Sequence, residues 1–127
     1  NSNTGNIYKI SIINPKKVQR VFVDQFFLGA DGLLLNDNEK LTVVVNGGND
    51  KIYQLRSKDN WNTAYVTGAT SINDRFSYPS TAISNEGEVW VMNTKFNEHL
   101  DSNNVPTRMF AIQKAVFKSV PKPKDRD

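Results

Sequence analysis

Two stretches of this chain share one pattern, and that pattern limits the fold more than any other feature. Ala30–Asn46 reads as a strand, an acidic-polar turn and a second strand ending in asparagine. Pro79–Asn93 reads the same way, with Asn85-Glu-Gly87 as the turn and Val89-Trp-Val-Met-Asn93 closing the second strand. Asn46 and Asn93 stand 47 residues apart. Around them strand-like segments dominate, Ile7–Ile12 alternating with period two and Leu41–Val45 a β-branched run. Ile7–Ile12, Val18–Val23, Leu41–Val45, Lys51–Leu55, Ala64–Thr67 and Met109–Phe117 are all short and strand-like. Turn residues separate them: Asn14-Pro15, Asn36–Lys40 and Asn46-Gly-Gly-Asn-Asp50. Strands spaced by turns at about 8 to 12 residues, with no run at helical spacing, predict an all-β fold.

A repeat in the forties built from about four short strands is the signature of propeller blades. The expected architecture is a partial β-propeller of four-stranded antiparallel blades. Residues 5–28 form a partial blade, 29–75 a whole one and 76–117 one with three clear strands, giving a domain over 1–117. Residues 118–127 read as an extended polar tail. About two and a half blades fall short of the four or more that close a ring. The chain is therefore expected to be the C-terminal part of a larger ring or to complete one with further copies. A sandwich of about nine strands remains the alternative.

Composition narrows the chemistry. The chain has 127 residues and no cysteine, which excludes disulfides, thiol nucleophiles and cysteine-ligated metals. His99 is the single histidine and stands in the polar loop between Asn97 and Thr107, with Glu98 and Asp101 as candidate orienting carboxylates. A solvated loop histidine is the simpler reading of it. Of the formal charge of +3, the last ten residues supply +2 from four cations and two anions. The nearly neutral remainder lacks the clustered basic face of a nucleic-acid partner, so none is expected. No apolar run is long enough to span a bilayer as a helix, and no membrane partner is expected. Asn1-Ser-Asn-Thr-Gly5 carries neither methionine nor an apolar leader and reads as a mature or trimmed N-terminus. Phosphate-binding loops, nucleophile elbows and calcium-binding helix–loop motifs are all missing.

The stretch Gly29-Ala-Asp-Gly32 through Val43-Val-Val-Asn-Gly-Gly48 to Ile52-Tyr-Gln-Leu55 resembles the gluconolactonase/regucalcin-like six-bladed propellers. Asp31-Gly32 looks like that family's Asp-Gly element, with Ala30 in place of proline, and Tyr78-Pro-Ser-Thr-Ala-Ile83 looks like its next inner strand. The resemblance is at the level of blades and spans roughly residues 5–117. It implies that the parent protein is a metal-dependent hydrolase of lactones or esters acting on a small-molecule substrate. It further implies a divalent metal (calcium, zinc or manganese) at the central channel and an extracellular or periplasmic location. Asp31 is the one metal ligand carried over, and no catalytic residue is. The ligands expected from earlier blades have no counterpart here, so this chain alone is expected to be inactive. Thr81 departs from the asparagine common in the family.

Each of these residues also has a plainer reading. Asp31 suits an Asx-turn. Asn46 and Asn93 suit turns, Asn46 leading straight into Gly47-Gly48, although both end strands that would face the channel. Ser80 and Thr81 suit strand-end satisfaction, and Trp90 suits packing between blades. Trp61 suits a cap on the outer edge of its blade. Against the hydrolase stands a reading of another class, a non-catalytic propeller segment that binds a protein or glycan or serves assembly.

Overall fold

The computed structural model describes residues 1–96, 98, 103, 105 and 109–121. Among the described residues ten strands follow in order: β1 (Ile7–Ile10), β2 (Val18–Val21), β3 (Ala30–Asp37), β4 (Lys40–Val45), β5 (Lys51–Arg56), β6 (Tyr65–Ala69), β7 (Pro79–Asn85), β8 (Glu88–Asn93), β9 (Ala111–Lys114) and β10 (Lys118–Ser119). A single turn of 3-10 helix at Ile72–Asp74 joins β6 to β7. The fold is all-β, as the alternation requires. The strands form three antiparallel sheets: β1-β2, β10-β6-β5-β4-β3 and β7-β8-β9. None is closed.

The central sheet is covered on both faces, and its second strand records this. β4, Lys-Leu-Thr-Val-Val-Val, is buried along almost its whole length instead of alternating. Leu41, Val43 and Val45 turn one way, joining Leu55, Val66, Phe27 and Val21 under the β1-β2 sheet. Val44 turns the other way and joins Ile52, Phe76, Val89 and Val91 against the β7-β8-β9 sheet. Each aliphatic side chain so buried contributes about 1.5–3 kcal/mol. Thr42 is buried too, and its hydroxyl donates to Asn36 Oδ1 at 2.8 Å. The Gly-rich reversal stands where its residues suggest, with Gly47 and Gly48 at φ of +81° and +138°.

The first sheet has only two strands and covers the central sheet incompletely. Leu33 and Leu35 pair with Val43 and Leu41 and lie on the same face as those residues, yet both stay more than half exposed. The β5–β6 loop fixes the small sheet at its other side. Lys9 Nζ donates to Asn60 O at 2.8 Å and Asn62 Oδ1 at 2.9 Å, and Phe22 and Asn62 share a backbone bond of 3.0 Å. Trp61 packs on this cluster and donates its indole N–H to Asn38 O at 2.7 Å.

The first residues expected in an extended tail are paired instead. Lys118–Ser119 pair with Ala69 and Gly68 of β6 and add a fifth strand to the central sheet. Gly68 leaves room for it: a side chain there would meet Phe117 Cβ at 3.0 Å. Residues 122–127 lie outside the described residues.

The β3–β4 and β7–β8 hairpins also differ from the expected repeat by one residue. The β3–β4 hairpin closes on Asp37 and Lys40, the β7–β8 hairpin on Asn85 and Glu88. Matched on these pairs, Asn93 corresponds to Val45 and Asn46 to Thr94. The side chains of Asn46 and Asn93 consequently enter the same seam, between the central and third sheets.

Candidate functional site

The starts of β3 and β7 lie together although they belong to different sheets. Gly32 approaches so closely that a Cβ placed on it would lie 2.4 Å from Ser80 O. Asn46, at the end of β4, bridges the two strands. Its buried amide nitrogen donates to Asp31 Oδ2 at 3.0 Å and to the Pro79 carbonyl at 2.7 Å. A backbone bond from Asn46 N to Gly29 O, 3.0 Å, holds that corner. Gly29 is indispensable here, because at φ +79° a side chain would collide with Asn46 O.

Beside this corner is an open cavity of about 340 Å³, lined by Ser2, Asn3, Asp31, Asn46, Gly47 and Tyr78 among others. Tyr78 holds a left-handed backbone, φ +48°, which is costly for an aromatic residue. Three bonds impose it: Tyr78 N donates to Asp50 Oδ2 at 3.2 Å, and Thr94 N and Oγ1 donate to Tyr78 O at 3.2 and 2.8 Å. Its ring rests against Phe96, centroids 6.0 Å apart.

Asp31 thus lies at the start of β3 with a cavity beside it, and its carboxylate is tied by a side chain from β4. In this arrangement the Asn46 N–H groups point at Asp31 Oδ2 and Pro79 O, so a cation at these two oxygens would have to displace Asn46. Among the described residues no group of three or more His, Asp or Glu side chains is placed to hold a metal ion. His99 and Asp101 lie outside the described residues.

Asn46 and Asn93 do more than form turns, which corrects the simpler expectation. Both are buried. Asn93 Oδ1 accepts from Ser77 N at 2.9 Å, and its Nδ2 donates to Gln113 Oε1 at 2.9 Å. Gln113 in turn donates to Asp74 O at 2.6 Å. Asn46 thus holds the first residue of β7, and Asn93 the β6–β7 connection just before it, from either side of the seam. The signal available in the sequence was their place at the ends of apolar strands, where a buried amide can satisfy stray backbone groups. Asp50 and Tyr78 carried no comparable signal.

Thr81 and Trp90 are not part of the Asp31 corner. Val89 and Val91 fill the seam, which turns Trp90 to the opposite face of the third sheet. There Thr81, Ile83, Trp90, Met92 and Ile112 line a shallow, wholly apolar depression of about 180 Å³. Glu88 and Lys114 pair at its edge, 3.0 Å apart. Comparison of the chain with protein families, with curated proteins and with solved structures found no match.

Proposed function

We propose that this chain is a non-catalytic segment of a propeller-type stack, an assembly module whose third sheet takes a further β-sheet on its outer face. The observation that carries this reading is the apolar depression around Ile83, Trp90, Met92 and Ile112. The same sheet buries its other face in a seam of identical character, Val89, Val91 and Ala115 against Val44 and Ile52. A sheet apolar on both faces is built to be covered on both. The meeting of β3 and β7 at their first residues supports a propeller-like relation between the second and third sheets, since inner strands of neighbouring blades converge there.

The test is binding of a hydrophobic fluorescent dye, with Ile83→Lys as the control. The native chain, when dilute, binds dye at this face, and the substitution removes most of the signal. A native chain that neither binds dye nor associates at any concentration overturns the reading.

A second reading, the metal-dependent lactone or ester hydrolase, is favoured by one observation: the Asp31 carboxylate lines a cavity large enough for a small substrate. In it this chain supplies Asp31 to a site whose other ligands stand on other blades. It requires Asn46 to give up its bond to Asp31, and metal titration tests it.

A further inference from the structure

We propose that the corner of Asp31, Asn46 and Tyr78 is a binding site for a primary ammonium group, carried by a small amine or by a lysine side chain. The inference stands apart from the assembly of the third sheet and from any reaction at Asp31.

The fixed donors of this corner are spent, and its acceptors are not. The Asn46 amide nitrogen donates to Asp31 Oδ2 and to Pro79 O. Two acceptors against that atom identify it as the nitrogen and its neighbour as Oδ1. The backbone N–H groups of Gly29, Ala30 and Asn46 donate to Ser2 O, Phe27 O and Gly29 O, each at 3.0 Å. Tyr78 N donates to Asp50. By contrast, Asn46 Oδ1 accepts no hydrogen bond from the described residues, although Asn46 is only 8% exposed. Asn46 lines the cavity, and its Oδ1 keeps an accessible edge. Asp31 Oδ1 and the Tyr78 hydroxyl are likewise without partners among the described residues, and both residues line the same cavity. An acceptor left unpaired on a buried residue is costly, and a ligand that donates to it recovers the loss.

Asp31 brings the one charged side chain among the residues lining the cavity. A single carboxylate matches a monovalent cation. A divalent ion would keep an excess charge, and calcium takes six to eight oxygens. A primary ammonium carries three donors and no acceptor. Their number matches Asp31 Oδ1, Asn46 Oδ1 and the Tyr78 oxygen. A polyol would call on donors as well as acceptors, and the fixed donors are engaged. Tyr78 adds an apolar wall, its ring set against Phe96, that suits an alkyl stem and attracts a cation. Its left-handed backbone, φ +48°, is the kind of local strain that binding sites retain. A Cβ on Gly47 would lie 3.9 Å from the Tyr78 hydroxyl, so the glycine keeps the space beside that hydroxyl open. The cavity of about 340 Å³ has room for the ammonium and a short stem.

Butylammonium chloride titrated into the native chain, followed by backbone amide NMR, should shift Asp31, Asn46, Gly47 and Tyr78 along a saturating curve in the millimolar range. Potassium chloride and tetramethylammonium chloride at the same ionic strength should not, since neither carries an N–H donor. Asp31→Asn removes the charge but keeps an oxygen for the Asn46 amide to reach, and should weaken binding about tenfold. Tyr78→Phe deletes one hydroxyl and should weaken it about threefold. Dispersed amide spectra verify that the variants fold, and the three salts on the native chain decide the matter without them. A lysine-containing peptide that binds as tightly as butylammonium makes a protein side chain the source. A peptide that fails where butylammonium binds makes the source a free amine, and either result sustains the site. Equal shifts from potassium or tetramethylammonium overturn the proposal, as does undiminished binding in Asp31→Asn. So does the lack of any saturable shift, or saturation by glycerol in place of butylammonium. None of these results bears on dye binding at the third sheet, so the assembly reading stands or falls separately.

Discussion

The side-chain nitrogen of Asn46 donates to the Asp31 carboxylate at 3.0 Å while the asparagine itself is buried. The same nitrogen serves the Pro79 carbonyl, so one amide joins the central sheet to the third. The two ends of the bond to Asp31 are unequal. Removing Asn46 leaves the buried Pro79 carbonyl without its donor. Asn46→Ala is expected to cost about 2 kcal/mol in urea denaturation. Asp31 is exposed and water replaces its partner, so Asp31→Ala should stay within about 1 kcal/mol. A larger loss at Asp31 than at Asn46 would mean that the carboxylate, not the amide, anchors the corner.

Close approach of β3 and β7 makes a second prediction. A methyl group at Gly32 would meet Ser80 O at 2.4 Å and Thr81 Cα at 2.8 Å, both backbone atoms that cannot swing aside. Gly32→Ala should cost about 3 kcal/mol, at the upper end of overpacking effects. At Gly87 nothing lies within 4 Å and only the φ of +79° opposes a side chain. Gly87→Ala should cost about 1 kcal/mol. Equal melting temperatures for the two variants would mean that the strands do not touch at Gly32.

Much of this fold was legible because strands declare themselves by alternation and turns by their residues. Asn14-Pro15 turns the chain through a backbone bond from Lys17 N to Asn14 O, and Asn46-Gly-Gly reverses it as the positive φ values require. What escaped was set by tertiary contact. Lys118–Ser119 look like the start of a solvated tail, but Gly68 admits Phe117 and the strand follows. The two asparagines appear equivalent in sequence, yet counted from the closing pairs of their hairpins Asn93 matches Val45 and Asn46 matches Thr94. Only the register of the paired strands reveals that offset. At the candidate site, Asp31 stands out through its Asp-Gly motif, whereas Tyr78, which opens the Tyr78–Ile83 segment, and Asp50, which ends the Gly-rich turn, give no sign in sequence that they meet.

Burial separates the leucines sharply. Leu55 is fully buried between the first two sheets, and Leu55→Ala should cost about 3 kcal/mol, combining lost transfer energy with the cavity left behind. Leu33→Ala, measured where the chain is dilute, should change stability by less than about 0.5 kcal/mol.

Metal addition distinguishes the two functional readings. A cation that bound only the folded chain would raise its melting temperature with concentration. With Asn46 directed at both oxygens of the corner, millimolar calcium or manganese is expected to leave the melting temperature unchanged. A rise that disappears in Asp31→Asn would restore the hydrolase reading and show that Asn46 yields its place.

Acid should act first on the loop that carries Trp61. Asp59 accepts from the Thr63 hydroxyl at 2.6 Å, from Thr63 N at 2.9 Å and from the Ser57 hydroxyl at 3.0 Å. The Thr63 side-chain bond, followed by its backbone bond, holds the Asp59 carboxyl below its ordinary pKa. A carboxyl with a depressed folded-state pKa adds stability that is present above the unfolded value, about 3.9 for aspartate. That contribution is lost as the pH falls through the folded-state value. Thr63→Val keeps the backbone donor and deletes the hydroxyl, so the Asp59 midpoint, followed by carboxyl NMR, should move up toward the ordinary value. Asn60 and Asn62 in the same loop hold Lys9, and amide protection in β1, taken relative to the unfolded-chain rate at each pH, should therefore fall at low pH before protection in β4 does. An unchanged midpoint in Thr63→Val would show that the hydroxyl does not govern the carboxyl, and uniform exchange in β1 and β4 would uncouple the loop from the first sheet.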